Sequence, residues 1–154
     1  VAVLGAVDDG VPENHLRRVL MQGSTDLGKL VLRVVLGALI LFHGVSKLIH
    51  GPGYIIGVVT GAGLPSFLAY GVYVGEVVAP ILLLLGYWTR VGALIIVANM
   101  AVAIVLVHMG QLATLNDTGG WALELQGMFF GTALAIMLLG AGRFSLGGSN
   151  GRWN

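Results

Sequence analysis

Five ionisable side chains, His43, Lys47, Glu76, His108 and Glu124, lie within or at the ends of stretches otherwise built from Leu, Val, Ile, Ala and Gly. A charge in such surroundings is costly, so each group needs a partner, a watery cavity or a chemical task. Glu76 is the most informative. A carboxylate in the middle of an apolar run is protonated, paired or hydrated, and Lys47 and His43 are the partners at hand. Pro80 sharpens the point. It lacks the N–H that the carbonyl of Glu76 would accept in a regular helix, so the helix is weakened at its acidic residue. The set suits proton transfer or the binding of a polar ligand. It suits equally a structural ion pair that fixes helix register.

Helical spacing groups these residues further. At about 100° per residue, Lys47 is about 40° from His43 and His50 about 20° from it on the other side, so one stripe carries all three. Tyr73 lies about 60° from Glu76 on its own helix. With His43 and Lys47, these two would give a quinone ring an apolar slot and proton donors. His43 and His108 are also candidates for haem or metal ligation from two different segments. Neither has a second ligand at a recognised spacing, so no metal is expected. Glu124 follows Trp121 by three positions and shares a stripe with Gly127 and Gly131; a helix N-terminus favours a carboxylate there without any catalytic role. Asn99 is about 180° from His108, which predicts that the two face different ways. It would then bond another helix or a partner chain. Gly71 with Gly75, and Gly127 with Gly131, have the four-residue spacing of close helix packing, a weak signal among 25 glycines. Arg33 is expected to reach the headgroups.

The elements that must position these groups are apolar spans. Four segments, 30–49, 67–88, 91–109 and 123–139, each approach the roughly 20 residues that cross a bilayer as a helix. Their runs are continuous, which excludes the alternation of a membrane β-barrel. Charged residues make up 10% of the 154-residue chain and hydrophobic ones 56%, with a mean hydropathy of +0.92. Too few charges exist to wet a soluble fold, so lipid is the expected solvent. Net charge is +1 and there is no basic block, which argues against nucleic acid. There is no cysteine, which excludes disulfide, thiolate-metal and dithiol chemistry by this chain.

The expected fold is all-α, an integral membrane antiparallel four-helix bundle. Gly51-Pro52-Gly53 and Gly61-Ala62-Gly63-Leu64-Pro65 bracket the first connection, Tyr87-Trp88-Thr89-Arg90 makes the second and Asn116-Asp117-Thr118-Gly119-Gly120 the third. Arg17, Arg18, Lys29 and Arg33 precede or open the first span, Arg90 lies in the second connection, and Arg143 and Arg152 follow the last. This asymmetry predicts both termini cytoplasmic and connections 50–66 and 110–122 outside. Trp121 would anchor the outer interface, Tyr87 and Trp88 the inner one. Three parts are expected: an N-terminal extension, 1–29, partly cytoplasmic and partly interfacial; a transmembrane domain, 30–146; and a C-terminal tail, 147–154. Residue 1 is valine, and Met21 offers a start just before the first span. His15-Leu16-Arg17-Arg18-Val19-Leu20 reads as a short interfacial helix with its arginines at the headgroups.

The chain resembles the DoxX family of small four-helix membrane proteins of bacteria and archaea. The likeness covers about 28–146. It rests on Leu32-Arg33 with Gly37, then Phe42-His43-Gly44 and Lys47-Leu48, Gly63-Leu64-Pro65, Gly75-Glu76, Leu85-Gly86-Tyr87-Trp88-Thr89-Arg90, and Gly140-Ala141-Gly142-Arg143-Phe144-Ser145-Leu146. The family is named for its likeness to the membrane subunit of a thiosulfate:quinone oxidoreductase. The resemblance implies an accessory component of a membrane redox system, quinone-linked or stress-related, in the bacterial or archaeal cytoplasmic membrane. It implies no catalytic set.

Three functional readings follow. The first is an accessory subunit of a membrane oxidoreductase, more a component than an autonomous enzyme. It would have no intrinsic cofactor, with lipid around it and a larger complex or further copies of itself as partners. The second is a quinone-binding redox subunit using Glu76, His43 and Lys47. The third is a small transporter or proton path.

Overall fold

The computed structural model describes residues 13–148 and 151–154, with side chains from Leu20 onward. Five helices account for most of it: α1, Glu13–His50; α2, Gly53–Gly61; α3, Ser66–Leu85; α4, Thr89–Gln111; and α5, Glu124–Leu139. No strand occurs among the described residues; Leu115 and Trp121 form one isolated bridge. Three stretches, Leu20–His50, Ser66–Leu85 and Thr89–Gln111, are long and apolar enough to cross a membrane, while the apolar α5 is shorter at 16 residues.

Burial is inverted relative to a protein in water. Large apolar side chains such as Phe42 (71% exposed), Ile49 (72%) and Leu138 (66%) cover the outside, whereas Arg33 and Glu76 are buried. An apolar exterior of this extent is stable only against lipid. The core is shared by four helices. Leu36 and Ile40 come from α1, Ala79 and Leu83 from α3, Ala93, Ile96 and Met100 from α4, and Phe129, Ala133 and Ile136 from α5. Each of these helices packs on two others, α1 on α3 and α5, and α4 on α3 and α5.

Three features of the backbone depart from the sequence expectations. The helix expected over 15–20 is not separate: the backbone runs unbroken from Glu13 to His50. The placement of Arg17 and Arg18 at headgroups lies outside the described side chains. The first connection is not a plain loop, because the glycines and prolines that bracket it enclose the apolar helix α2. Those breakers end helices on either side but leave Tyr54-Ile55-Ile56-Gly57-Val58-Val59 free to wind. Two π turns interrupt the longer helices, Val74–Val78 in α3 and Ile104–His108 in α4. The first lies where Pro80 withholds the N–H that would bond the carbonyl of Glu76, and the helix widens locally instead.

Arg33 does not reach the headgroups. It is fully buried, donating from Nη1 to the carbonyl of Leu83 (2.8 Å) and from Nη2 to that of Phe144 (2.5 Å). It thereby ties α1 to the last turn of α3 and to the segment after α5. Gly86 makes room for it. This residue closes α3 with φ +67°, its N–H and that of Tyr87 both returning to Leu82, and a side chain here would collide with the Arg33 guanidinium. The expected tail is docked as well. Asn154 accepts at Oδ1 from the backbone N–H (3.4 Å) and hydroxyl (3.1 Å) of Thr89, and so caps the start of α4.

Candidate functional site

The Glu76 carboxylate is placed by the widened turn of α3 and by the close approach of α1. Gly44 lies directly against the Glu76 carbonyl, so closely that a Cβ would overlap it. One turn further along α1, Lys47 Nζ donates to Glu76 Oε2 at 2.5 Å. The Glu76 side chain is 10% exposed and that of Lys47 24%, so the pair is largely withdrawn from solvent. Lys47 rather than His43 is therefore the partner of the carboxylate. A charge-assisted bond at this distance is among the stronger polar contacts available to a protein.

The pair opens onto a cavity of about 780 Å³. That volume lies within the range of pockets for small organic ligands, about 300–1,000 Å³. Its walls are mostly aliphatic. Val58 and Val59 of α2, Val72 of α3, and Ile95 and Leu106 of α4 contribute, with Phe129 of α5 and the His43 ring in a T-shaped pair, centroids 5.9 Å apart. The polar groups on the lining are few: His43, Lys47, Glu76, Asn99, His108 and Gln126, with Tyr54 from α2. Apolar walls with a small number of converging polar groups are the usual constitution of a binding site.

His43, Lys47, Glu76 and His108 thus share one cavity. His108 is engaged through both ring nitrogens, with Gln111 Oε1 2.9 Å from Nδ1 and Gln126 Nε2 3.2 Å from Nε2. Neither nitrogen is left free for a metal or haem. Among the described residues, no group of three His, Asp or Glu side chains could hold a metal ion.

Other candidates lie elsewhere. His50, the last residue of α1, is exposed, bonds back to the carbonyl of Ser46 through Nδ1, 2.9 Å, and is not on the cavity lining. Tyr73 is not on the cavity lining; its hydroxyl donates to the carbonyl of Lys47 (3.1 Å) and steadies that turn of α1. Glu124 is exposed and folds against Gly120 in the preceding loop, so it does not join the cluster. Of the four glycines, only Gly75 sits against another helix, under the Asn99 side chain. Gly127 is covered by the Trp121 ring. At Gly71 and Gly131 an added methyl group would have no neighbour within 4 Å on this chain.

Asn99 and His108 do line the same cavity, against the expectation that they diverge. The π turn at Ile104–His108 explains it. One residue wound into a π turn advances the downstream face by about one residue step, roughly 100°, so an expected half-turn separation shrinks to less than a quarter turn. Gln126 is missing from the sequence-based set for a plainer reason. Its role depends on where α5 meets α4, and nothing near it in the sequence marks that junction.

The DoxX family model matches residues 28–109, more than half of the chain. The chain belongs to the DoxX family. The matched region runs from α1 to the end of α4 and includes Lys47, Glu76, Asn99 and His108, while Gln126 and Phe129 of the DoxX cavity lie beyond it. A relative in Bacillus subtilis (strain 168), named "Putative oxidoreductase CatD", is 33% identical over 89 residues, 58% of this chain and 66% of that protein. The match thus spans just under two thirds of that relative's length. An uncharacterized protein of Haemophilus influenzae (strain ATCC 51907 / DSM 11121 / KW20 / Rd) is 33% identical over 118 residues, 75% of this chain and 84% of its own. No solved structure matches. Membership of the DoxX family and the three long apolar helices make this a membrane protein.

Proposed function

We propose that this DoxX protein is the membrane subunit of a bacterial or archaeal oxidoreductase assembly, and that its cavity receives a quinone. The carrying observation is the cavity of about 780 Å³, apolar over most of its wall, with the Lys47–Glu76 pair on its lining. In this reading α1, α3, α4 and α5 form an antiparallel four-helix bundle in the cytoplasmic membrane. Its termini face the cytoplasm and the mouth near α2 faces outward. The Lys and Arg distribution supports that orientation.

The chain has no cysteine and so no thiol couple; in this reading the electrons come from a redox centre on a partner protein. A bound quinone takes two electrons from that centre and two protons, and both carbonyl oxygens become hydroxyls. Lys47 gives a proton to the nearer oxygen, is left neutral beside Glu76, and regains a proton from water through the cavity mouth. The second proton reaches the far oxygen from water entering through the cavity mouth. The name of the Bacillus subtilis relative supports an oxidoreductase setting.

The test is quinone-linked electron transfer in membranes containing the native assembly. Glu76→Gln and Lys47→Met should each slow turnover by about 10²-fold, the usual weight of a positioned proton donor. Unchanged turnover in both removes the proposal.

A further inference from the structure

Asn99 sits on the third long helix among Leu94, Ile95, Ile96, Val97, Ala98 and Met100, a run with no other polar side chain. Its amide faces the same cavity as Glu76. Among the described residues that amide makes no side-chain hydrogen bond, whereas Lys47, Glu76, His108 and Gln126 all have partners. An amide has two donors and an acceptor to satisfy, and leaving them unmet in an apolar wall is unfavourable. Space has nonetheless been kept for it. A Cβ on Gly75 would fall 2.6 Å from both Cβ and Oδ1 of Asn99. Only glycine at 75 lets the amide lie against α3, one residue from Glu76.

The charges around it narrow the class of ligand. Lys47 and Glu76 cancel each other at 2.5 Å. His108 has both ring nitrogens engaged, by Gln111 and Gln126. Among the described residues, Lys47 is the one Lys or Arg on the cavity lining, and His43 packs on the Phe129 ring, so no unpaired ammonium or guanidinium awaits an ionised headgroup. What the wall offers is an amide with free donors beside a neutral ion pair, which matches an uncharged carbonyl on a lipid-soluble molecule.

We propose that Asn99 is a ligand-binding residue of this cavity. Its amide donates to a carbonyl oxygen, in a cavity whose paired charges disfavour ionised amphiphiles of equal chain length. The inference rests on the quinone reading above and adds to it the residue that holds the carbonyl.

The experiment is equilibrium binding to the purified full chain in lipid nanodiscs, with decylubiquinone and dodecanoate as probes. The variants are Asn99→Leu and Asn99→Ala, the second only removing atoms so that it guards against a leucine that does not fit under α3. Each should bind decylubiquinone about tenfold more weakly, as loss of one good hydrogen bond predicts. Each should leave the weaker binding of dodecanoate unchanged, so that selectivity falls by the same factor. Undiminished decylubiquinone binding in both variants overturns the role of Asn99 and leaves the quinone reading standing. Failure of the unaltered protein to bind decylubiquinone, or tighter binding of dodecanoate, overturns both.

Discussion

The ammonium of Lys47 and the carboxylate of Glu76 meet at 2.5 Å across 29 residues of sequence, joining α1 to the widened turn of α3. Removing one member leaves the other without its counter-charge in a mostly apolar wall. Lys47→Met or Glu76→Gln should each lower stability by about 1–3 kcal/mol, below the fully buried range because both groups border a cavity. The double variant should cost clearly less than the two added together. Denaturation in a mild detergent measures all three; strict additivity would mean that the pair is not coupled.

Gly44 meets the Glu76 carbonyl with no room for a methyl group between them. Gly44→Ala must push α1 from α3, and about 1–3 kcal/mol of stability should be lost, as for overpacking elsewhere. Gly71→Ala and Gly131→Ala meet nothing on the same chain. They should be neutral or slightly stabilising, since alanine suits a helix better by up to about 1 kcal/mol. A large loss at Gly131 would instead reveal a neighbouring subunit against that face.

Arg33 holds the carbonyls of Leu83 and Phe144 together. Arg33→Met keeps the bulk and strands both acceptors. Residues 141–148 should then loosen from the end of α3. The readouts are faster amide exchange at Leu146 and Gly147, whose N–H groups bond Leu85 and Gly86, and faster tryptic cleavage at the exposed Arg143. Unaltered exchange at both amides would show that the guanidinium is not the clasp.

The chain's lack of cysteine makes it a clean background for mapping sidedness. Thr118→Cys, in the loop before α5, should react with a membrane-impermeant maleimide in intact cells. Ser24→Cys, near the other end of α1, should react only after the membrane is opened. Labelling of both in intact cells would contradict the proposed orientation.

The helices and the acid–base pair are largely legible in the sequence, because lipid imposes a length and a composition that few other environments demand. Helical spacing places Lys47 and His43 on one face, and the isolation of Glu76 requires a partner. The site's other members are hidden by departures from ideal winding. A π turn cannot be read from residue types, so a 100° step applied across Ile104–His108 puts Asn99 and His108 on opposite sides. Arg33 is misplaced by sequence reasoning because its acceptors, Leu83 and Phe144, become neighbours only through packing. The helix α2 is obscured by the breakers at each end, which look like loop from either side. Tyr73 shows the converse error: helical angle places it near Glu76, but the hydroxyl serves the backbone of Lys47.

The first helix, 38 residues without a break, is a rod about 57 Å long at 1.5 Å per residue, nearly twice the thickness of about 30 Å of hydrocarbon. Its leading turns must therefore project beyond the acyl chains, in rigid continuity with the turn bearing His43 and Lys47. A protein that grasps the projecting end holds one wall of the binding chamber by a handle with no joint in it.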